Sequence, residues 1–183
     1  MWVCDQTRPR QKEVHMSKPQ RVAIVTGGAG KLGSAIAEHL LEDGVCVVVA
    51  DIDTESAAAA VANFRSRFAV PSLAVGVDLG SVDSIESLVA EVGERFGRVD
   101  IVVNNAAVNR RSTLSELTQD AWDAMSEVNL RGPAMLVSRL LGFFEAQRSG
   151  AVVNIASRNW VSGGPVAYTT MKAGLVGMTL LCH

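Results

Sequence analysis

Cysteine, histidine and tyrosine are scarce in this chain of 183 residues, with three, three and one respectively. Cys4, Cys46 and Cys182 lie far apart, as do His15, His39 and His183, so no metal-ligand spacing is present and no metal is expected. No apolar run approaches the roughly 20 residues of a membrane span, which argues against a membrane partner. Arg8, Arg10, Lys12 and Glu13 interrupt the apolar core that a secretory leader would need, and a cytoplasmic location is expected. Lysine and arginine form no dense cluster, and the net charge of −2 comes from mixed signs, so nucleic acid is not an expected partner. What is abundant is apolar: 48% of the residues, enough for one globular domain with a core.

Residues 1–20 read as a polar lead-in, with Met16 opening a stretch that would itself make a natural start. They are expected to be a disordered extension, and residues 21–183 a single domain without repeats or linkers.

From Arg21 the pattern is regular. Val22 to Val25 is a short apolar run ending at Thr26-Gly27-Gly28, as a buried parallel strand would. Leu32, Ile36 and Leu40 then recur at helical spacing up to Gly44. Val45–Ala50 predicts a second strand, Thr54–Arg67 a helix, and Leu73–Val77 a third strand. Ser81 with Ser84 caps the next amphipathic helix, and Asp100–Val103 predicts a fourth strand. A polar loop through Arg110, Arg111 and Ser115 precedes a long helical region from about residue 118 to 148, with an interruption near Gly132-Pro133. Ala151–Ile155 predicts the fifth strand, and the last helix carries Tyr168 and Lys172. Strict alternation of strands and helices implies an α/β fold: a doubly wound, Rossmann-like parallel sheet of about five strands, with ligands at the carboxyl ends.

Gly28-Ala29-Gly30-Lys31-Leu32-Gly33 has the Gly-x-Gly-x-x-Gly form between a strand and a helix. Glycines there let a pyrophosphate approach the backbone, and the helix N-terminus holds its charge. Asp51 lies 23 residues after Gly28, at the tip of the second strand. An acid at that point accepts from an adenosine ribose and repels a 2′-phosphate, which favours NAD over NADP. Lys31 is followed by leucine, and Val25 stands where a Walker loop has its first glycine, so this is not such a loop. Its side chain has two open readings, a cofactor phosphate or solvent. Tyr168 and Lys172, four apart, share a helix face and can act as a pair.

With these pieces in place, the chain from about residue 20 to its end resembles the short-chain dehydrogenase/reductase family. Thr26 to Gly33 looks like the family's cofactor turn, with Lys31 replacing its middle glycine. Asp78-Leu79 resembles its adenine contact, and Asn104-Asn105-Ala106-Ala107 its Asn-Asn-Ala-Gly element. Val128-Asn129-Leu130, the segment ending in Ser157, and Tyr168 with Lys172 match its catalytic tetrad.

The resemblance implies a hydride transfer between a nicotinamide cofactor and a secondary alcohol or ketone, with Tyr168 as general acid and base. Lys172 would hold the nicotinamide ribose and favour the ionised phenol, Ser157 would place the substrate oxygen, and Asn129 would support a water-linked relay. It also implies cofactor contacts from Thr26, Gly27, Gly28, Gly30, Lys31, Leu32, Gly33, Asp51, Ile52, Asp78, Leu79, Asn105, Ala106, Ala107, Tyr168 and Lys172. A homo-oligomer is implied too, through the helices of about 118–148 and 166–182, with Phe143, Phe144, Leu175 and Val176 as interface candidates.

The turn's spacing also fits the extended branch of the family, which contains nucleotide-sugar epimerases, whereas the paired asparagines and the Asn129 segment point to the single-domain branch. Relatives continue past the Tyr168 helix with further strands. The sheet is therefore expected to stop at its fifth strand with an exposed edge, and the alternative function is a truncated, catalytically impaired nucleotide-binding fragment.

Overall fold

The computed structural model describes residues 20–110 and 112–180, and of Trp160 the backbone alone. The proposed extension over residues 1–19, Arg111, and the chain end at Cys182-His183 lie outside the described residues. In chain order the elements are β1 (Val22–Thr26), α1 (Lys31–Glu42), β2 (Cys46–Asp51), α2 (Thr54–Arg67), β3 (Ser72–Gly76), α3 (Val82–Phe96) and β4 (Ile101–Asn104). A 3₁₀ turn (Leu114–Glu116), α4 (Gln119–Ser126), a π-turn (Glu127–Arg131), α5 (Gly132–Gln147), β5 (Ala151–Asn154), α6 (Asn159–Ser162) and α7 (Val166–Thr179) follow.

The five strands form one parallel sheet in the order β3-β2-β1-β4-β5. This is the expected doubly wound fold. Successive strand residues face opposite sides, and the core divides accordingly. Val22, Ile24, Cys46, Val48 and Ala50 pack with Leu88, Leu136 and Leu140 of α3 and α5. Val25, Val47 and Val49 pack on the other face with Ala37, Leu41, Val61 and Phe64 of α1 and α2. Burial on both faces explains why β1 and β2 read as unbroken apolar runs rather than alternating ones. Cys46 is a core thiol, and burial pushes it above its ordinary value.

At the foot of the sheet Asp100 accepts from the Val22 N–H at 2.8 Å and from the Arg98 guanidinium at 2.9 and 2.5 Å. Burial alone would raise its carboxyl, but Arg98 and Val22 outweigh burial and hold it below the usual carboxylate value. The helix termini follow their sequence signals. Asp53 caps α2 through Ser56 N at 3.0 Å, Ser81 caps α3 through Ser84 N at 3.3 Å, and Gly44, at φ 75°, ends α1.

The region from 118 to 148 departs from its expectation in detail. Gly132-Pro133 does not break the helix, because proline in the first turn of α5 needs no donor there. The irregularity lies just before it, where the Gly132 N–H reaches back five residues to the Glu127 carbonyl. Leu175, read as an interface residue, is 1% exposed and belongs to the core. Val153 of β5, by contrast, is 44% exposed. On the opposite face of β5 runs a groove of about 800 Å³, between α5 and α7, with Leu141, Phe144, Val152 and Met178 on its walls. No helix among the described residues is long and apolar enough to cross a membrane.

Candidate active site and cofactor cleft

The strand order reverses between β1 and β4, and loops from those two strands diverge there to open a crevice. A cleft of about 380 Å³ occupies this position. Gly27, Gly30, Leu32, Gly33, Asp51, Ile52, Asp78, Leu79, Asn105, Ala106 and Ala107 all line it, so most of the expected cofactor residues converge on one cavity. Thr26 and Gly28 do not line it. Thr26 is fully buried, and Gly28 lies beneath the turn against Val25 and Val49. Lys31 stands outside the wall, exposed at the first turn of α1.

The turn is held from two sides. The Thr26 hydroxyl donates to the Val103 carbonyl at 3.2 Å and accepts from the N–H groups of Asn105 and Ala106 at 3.0 and 3.2 Å. The Asn105 amide donates to the carbonyls of Thr26 and Gly27 at 2.9 and 3.1 Å. Both side chains therefore clamp the β4 loop to the glycine turn. On the other side Asp51 accepts from the Ala29 N–H at 3.0 Å and the Asp53 N–H at 3.1 Å. The acid read as a ribose acceptor is also a strut of the turn, and no spacing rule signals that second role.

Gly33 is where α1 crosses closest: a Cβ there would lie 2.1 Å from the Gly27 carbonyl oxygen. At Gly30 a Cβ would meet the Gly27 carbonyl at 3.3 Å and nothing else within 4 Å. The N-terminus of α1 has no side-chain cap and no acid in its first turn, so its free N–H groups suit an anion entering from the cleft. The residues present fit a dinucleotide.

None of the four catalytic candidates lines that cleft. Tyr168 and Lys172 share α7, with the Lys172 ammonium 5.9 Å from the centre of the Tyr168 ring. Lys172 is 1% exposed and donates to the Ile155 carbonyl at 2.7 Å, tying α7 to the end of β5 two residues before Ser157. Burial pushes its ammonium below the ordinary lysine value. Ser157, half-buried, accepts from the Asn159 N–H at 3.3 Å. Accepting there leaves its hydroxyl proton free to donate.

Asn129 is fully buried within the π-turn. Its side chain accepts from the Val108 N–H at 2.8 Å and donates to the Val108 carbonyl at 2.7 Å. Val108 lines the cleft, so Asn129 sets the position of a wall residue. The π-turn also packs on α7, where Gly174 admits Leu130: a Cβ there would lie 2.9 Å from Leu130 Cδ1.

The sequence reading missed Val108 on the cleft wall, which belongs to no motif, and gave Val128 no contact of its own within the Val128-Asn129-Leu130 segment. It also missed two hydroxyls, Ser112 and Thr169, that are buried without protein partners. Ser112 borders a shallower cavity opposite Gly164, Pro165 and Val166, beside the start of α7. The Asn159 side chain also lies close to Gly164. Arg110 is exposed on the β4 loop. No cluster of metal-ligating side chains occurs among the described residues.

Residues 21–183 match the family model for short chain dehydrogenases. The (2S)-[(R)-hydroxy(phenyl)methyl]succinyl-CoA dehydrogenase subunit BbsD of Thauera aromatica is 38% identical over 165 residues, 90% of this chain and 66% of that protein. The 3-oxoacyl-[acyl-carrier-protein] reductase FabG of Staphylococcus aureus is 31% identical over 164 residues, 88% of this chain and 67% of its own length.

Among solved structures, NAD+-bound xylitol dehydrogenase superposes with a TM-score of 0.83 at 27% identity, covering 88% of this chain and 64% of that one. A metagenomic short-chain oxidoreductase in complex with NADP gives 0.82 at 32%, covering 88% and 74%. The chain thus spans about two thirds of the length of the relatives it matches. With the family model matched over residues 21–183 and two relatives above 30% identity, the chain belongs to the short-chain dehydrogenase/reductase family.

Proposed function

We propose that the protein is an NAD-dependent oxidoreductase acting on a secondary alcohol or its ketone. The observation that carries this reading is Lys172. An ammonium 1% exposed is costly to keep in a fold, and this one lies beside the ring of the sequence's single tyrosine, bonded to the Ile155 carbonyl just past the carboxyl end of β5. A strained titratable group in such a place marks chemistry more often than architecture.

The turn residues Gly27, Gly30 and Gly33 and the α1 amides would hold the pyrophosphate, Asp51 the adenosine ribose, and Asp78 and Leu79 the adenine side. The bound nicotinamide supplies or takes the hydride. Tyr168 Oη gives a proton to the substrate oxygen in reduction and takes it back in oxidation. Lys172, on the same helix face, would hold the nicotinamide ribose. Ser157, with its proton free, donates to the same substrate oxygen and orients it. Asn129 acts through Val108, holding the wall against which the cofactor lies.

Asp51 supports NAD over NADP, since its charge opposes a 2′-phosphate. The names of BbsD and FabG, both directed at acyl thioesters, make a 3-oxo or 3-hydroxy acyl thioester the first substrate to try. The test is NADH oxidation against a panel of ketones and 3-oxoacyl thioesters, with wild type and Tyr168→Phe side by side. Turnover should fall at least 100-fold in the variant, while the dissociation constant for NADH stays within twofold. Cofactor binding with no Tyr168-dependent turnover would overturn the catalytic reading and leave a nucleotide-binding chain.

A further inference from the structure

Lys31 is the one residue of the glycine turn that the cofactor reading does not yet use. It replaces a glycine of the family pattern, and it is the first residue of α1, directly after the N-cap Gly30. Side chains on a helix lean towards its N-terminus, so a lysine at this position leans towards the end where a pyrophosphate would sit. Among the described residues it makes no ion pair and no side-chain hydrogen bond, and it is exposed. The nearest strand-tip acid, Asp51, is already engaged by the N–H groups of Ala29 and Asp53. The first turn of α1 contains no acid that could claim the ammonium. A cation with no internal partner stands at the mouth of a turn built for an anion.

We propose that Lys31 is an ionic anchor for the diphosphate of the cofactor. It adds charge to the contact that the glycine turn makes through backbone N–H groups, and it acts on the diphosphate rather than on the ribose 2′-position. The inference rests on the dinucleotide reading of the cleft. Because the anchor is exposed, its effect is that of a surface ion pair: about fivefold in affinity at low salt, fading as added salt screens it.

The test is fluorescence titration of NADH and NADPH against the full chain as wild type, Lys31→Gln and Lys31→Arg, at low salt and at high salt. Lys31→Gln should weaken both cofactors by about the same factor, near fivefold at low salt, with the gap closing to under twofold at high salt. Lys31→Arg should bind as wild type does. ADP-ribose should show the same loss with Lys31→Gln.

A change under twofold at low salt, or a loss confined to NADPH, would overturn the anchor while leaving the cleft intact. Wild type that binds neither cofactor would overturn the cleft reading and this inference together. Intact binding with turnover indifferent to Tyr168→Phe would overturn only the catalytic proposal.

Discussion

β2 and β5 are both parallel strands of one sheet, yet they live in different surroundings. β2 lies between β1 and β3, with helices on both faces, and its first five residues are buried. β5 lies at an edge, and its residues alternate between exposed and half-buried. The half built from β1, β2, α1 and α2 holds the glycine turn, which Thr26 and Asp51 brace from within it and Asn105 from the loop after β4. The half built from β5 and α7 holds Ser157, Tyr168 and Lys172, and it lies beside the open apolar groove. The candidate cofactor cleft thus adjoins the central strands, and three of the candidate catalytic residues follow the edge strand.

The contrast can be broken or sharpened by substitution. The largest effect is expected from Gly33→Ala, which drives a methyl into the Gly27 carbonyl. A loss of about 4 kcal/mol in urea unfolding is expected, with NADH binding abolished. A stable variant that binds NADH would show that the turn has slack.

Next is Asp100→Asn, which leaves the half-buried Arg98 guanidinium without its counter-charge and should destabilise by about 2 kcal/mol at pH 7. Because the folded carboxyl lies below its unfolded value, its contribution is fully present above about pH 4 and is lost as pH falls through the folded value. The gap between wild type and variant should therefore shrink below pH 4, and a gap constant from pH 7 to pH 2.5 would contradict the ion-pair account.

The smallest effects test the two strands directly. Val48→Ala in β2 should cost about 2 kcal/mol, and Val153→Ala in β5 about 0.5 kcal/mol or less. Equal losses would erase the contrast.

The elements with strong local signals were legible in the sequence. The apolar runs of β1 and β2, the glycines ending β1, and the cap Ser81 each carry a rule that acts over a few residues. The expected boundaries of α2 coincide with those observed, Thr54–Arg67. What escaped depends on contacts between distant segments. The π-turn needs the packing of Asn129 against Val108, 21 residues away, and nothing in Glu127–Arg131 announces it. The bond from Ala29 to Asp51 crosses between two loops and shows in neither. Leu175 reads as a surface residue until α7 is set on the sheet. Candidate site residues could be proposed from their motifs, but the roles of Thr26 and Asn105 as braces emerge only from their partners.

The π-turn also sets a length rule for the chain around it. One continuous helical stretch serves two partners here, with α4 packed on α7 and α5 packed on α3. A regular α-helix advances about 100° per residue, so the wider turn changes the angular phase at which α5 leaves α4. Deleting a single residue within 127–131 would let the segment close as ordinary α-helix with its phase kept, because four residues at about 100° each sweep nearly what five sweep in the wider turn. Closing all five as ordinary α-helix would instead set the phase wrong by roughly a quarter turn, and either Met125 or the pair Leu136 and Leu140 would rotate away from the surface it now covers. The chain carries one residue more here than an ordinary helix between the same two surfaces would need, and the wider turn absorbs it.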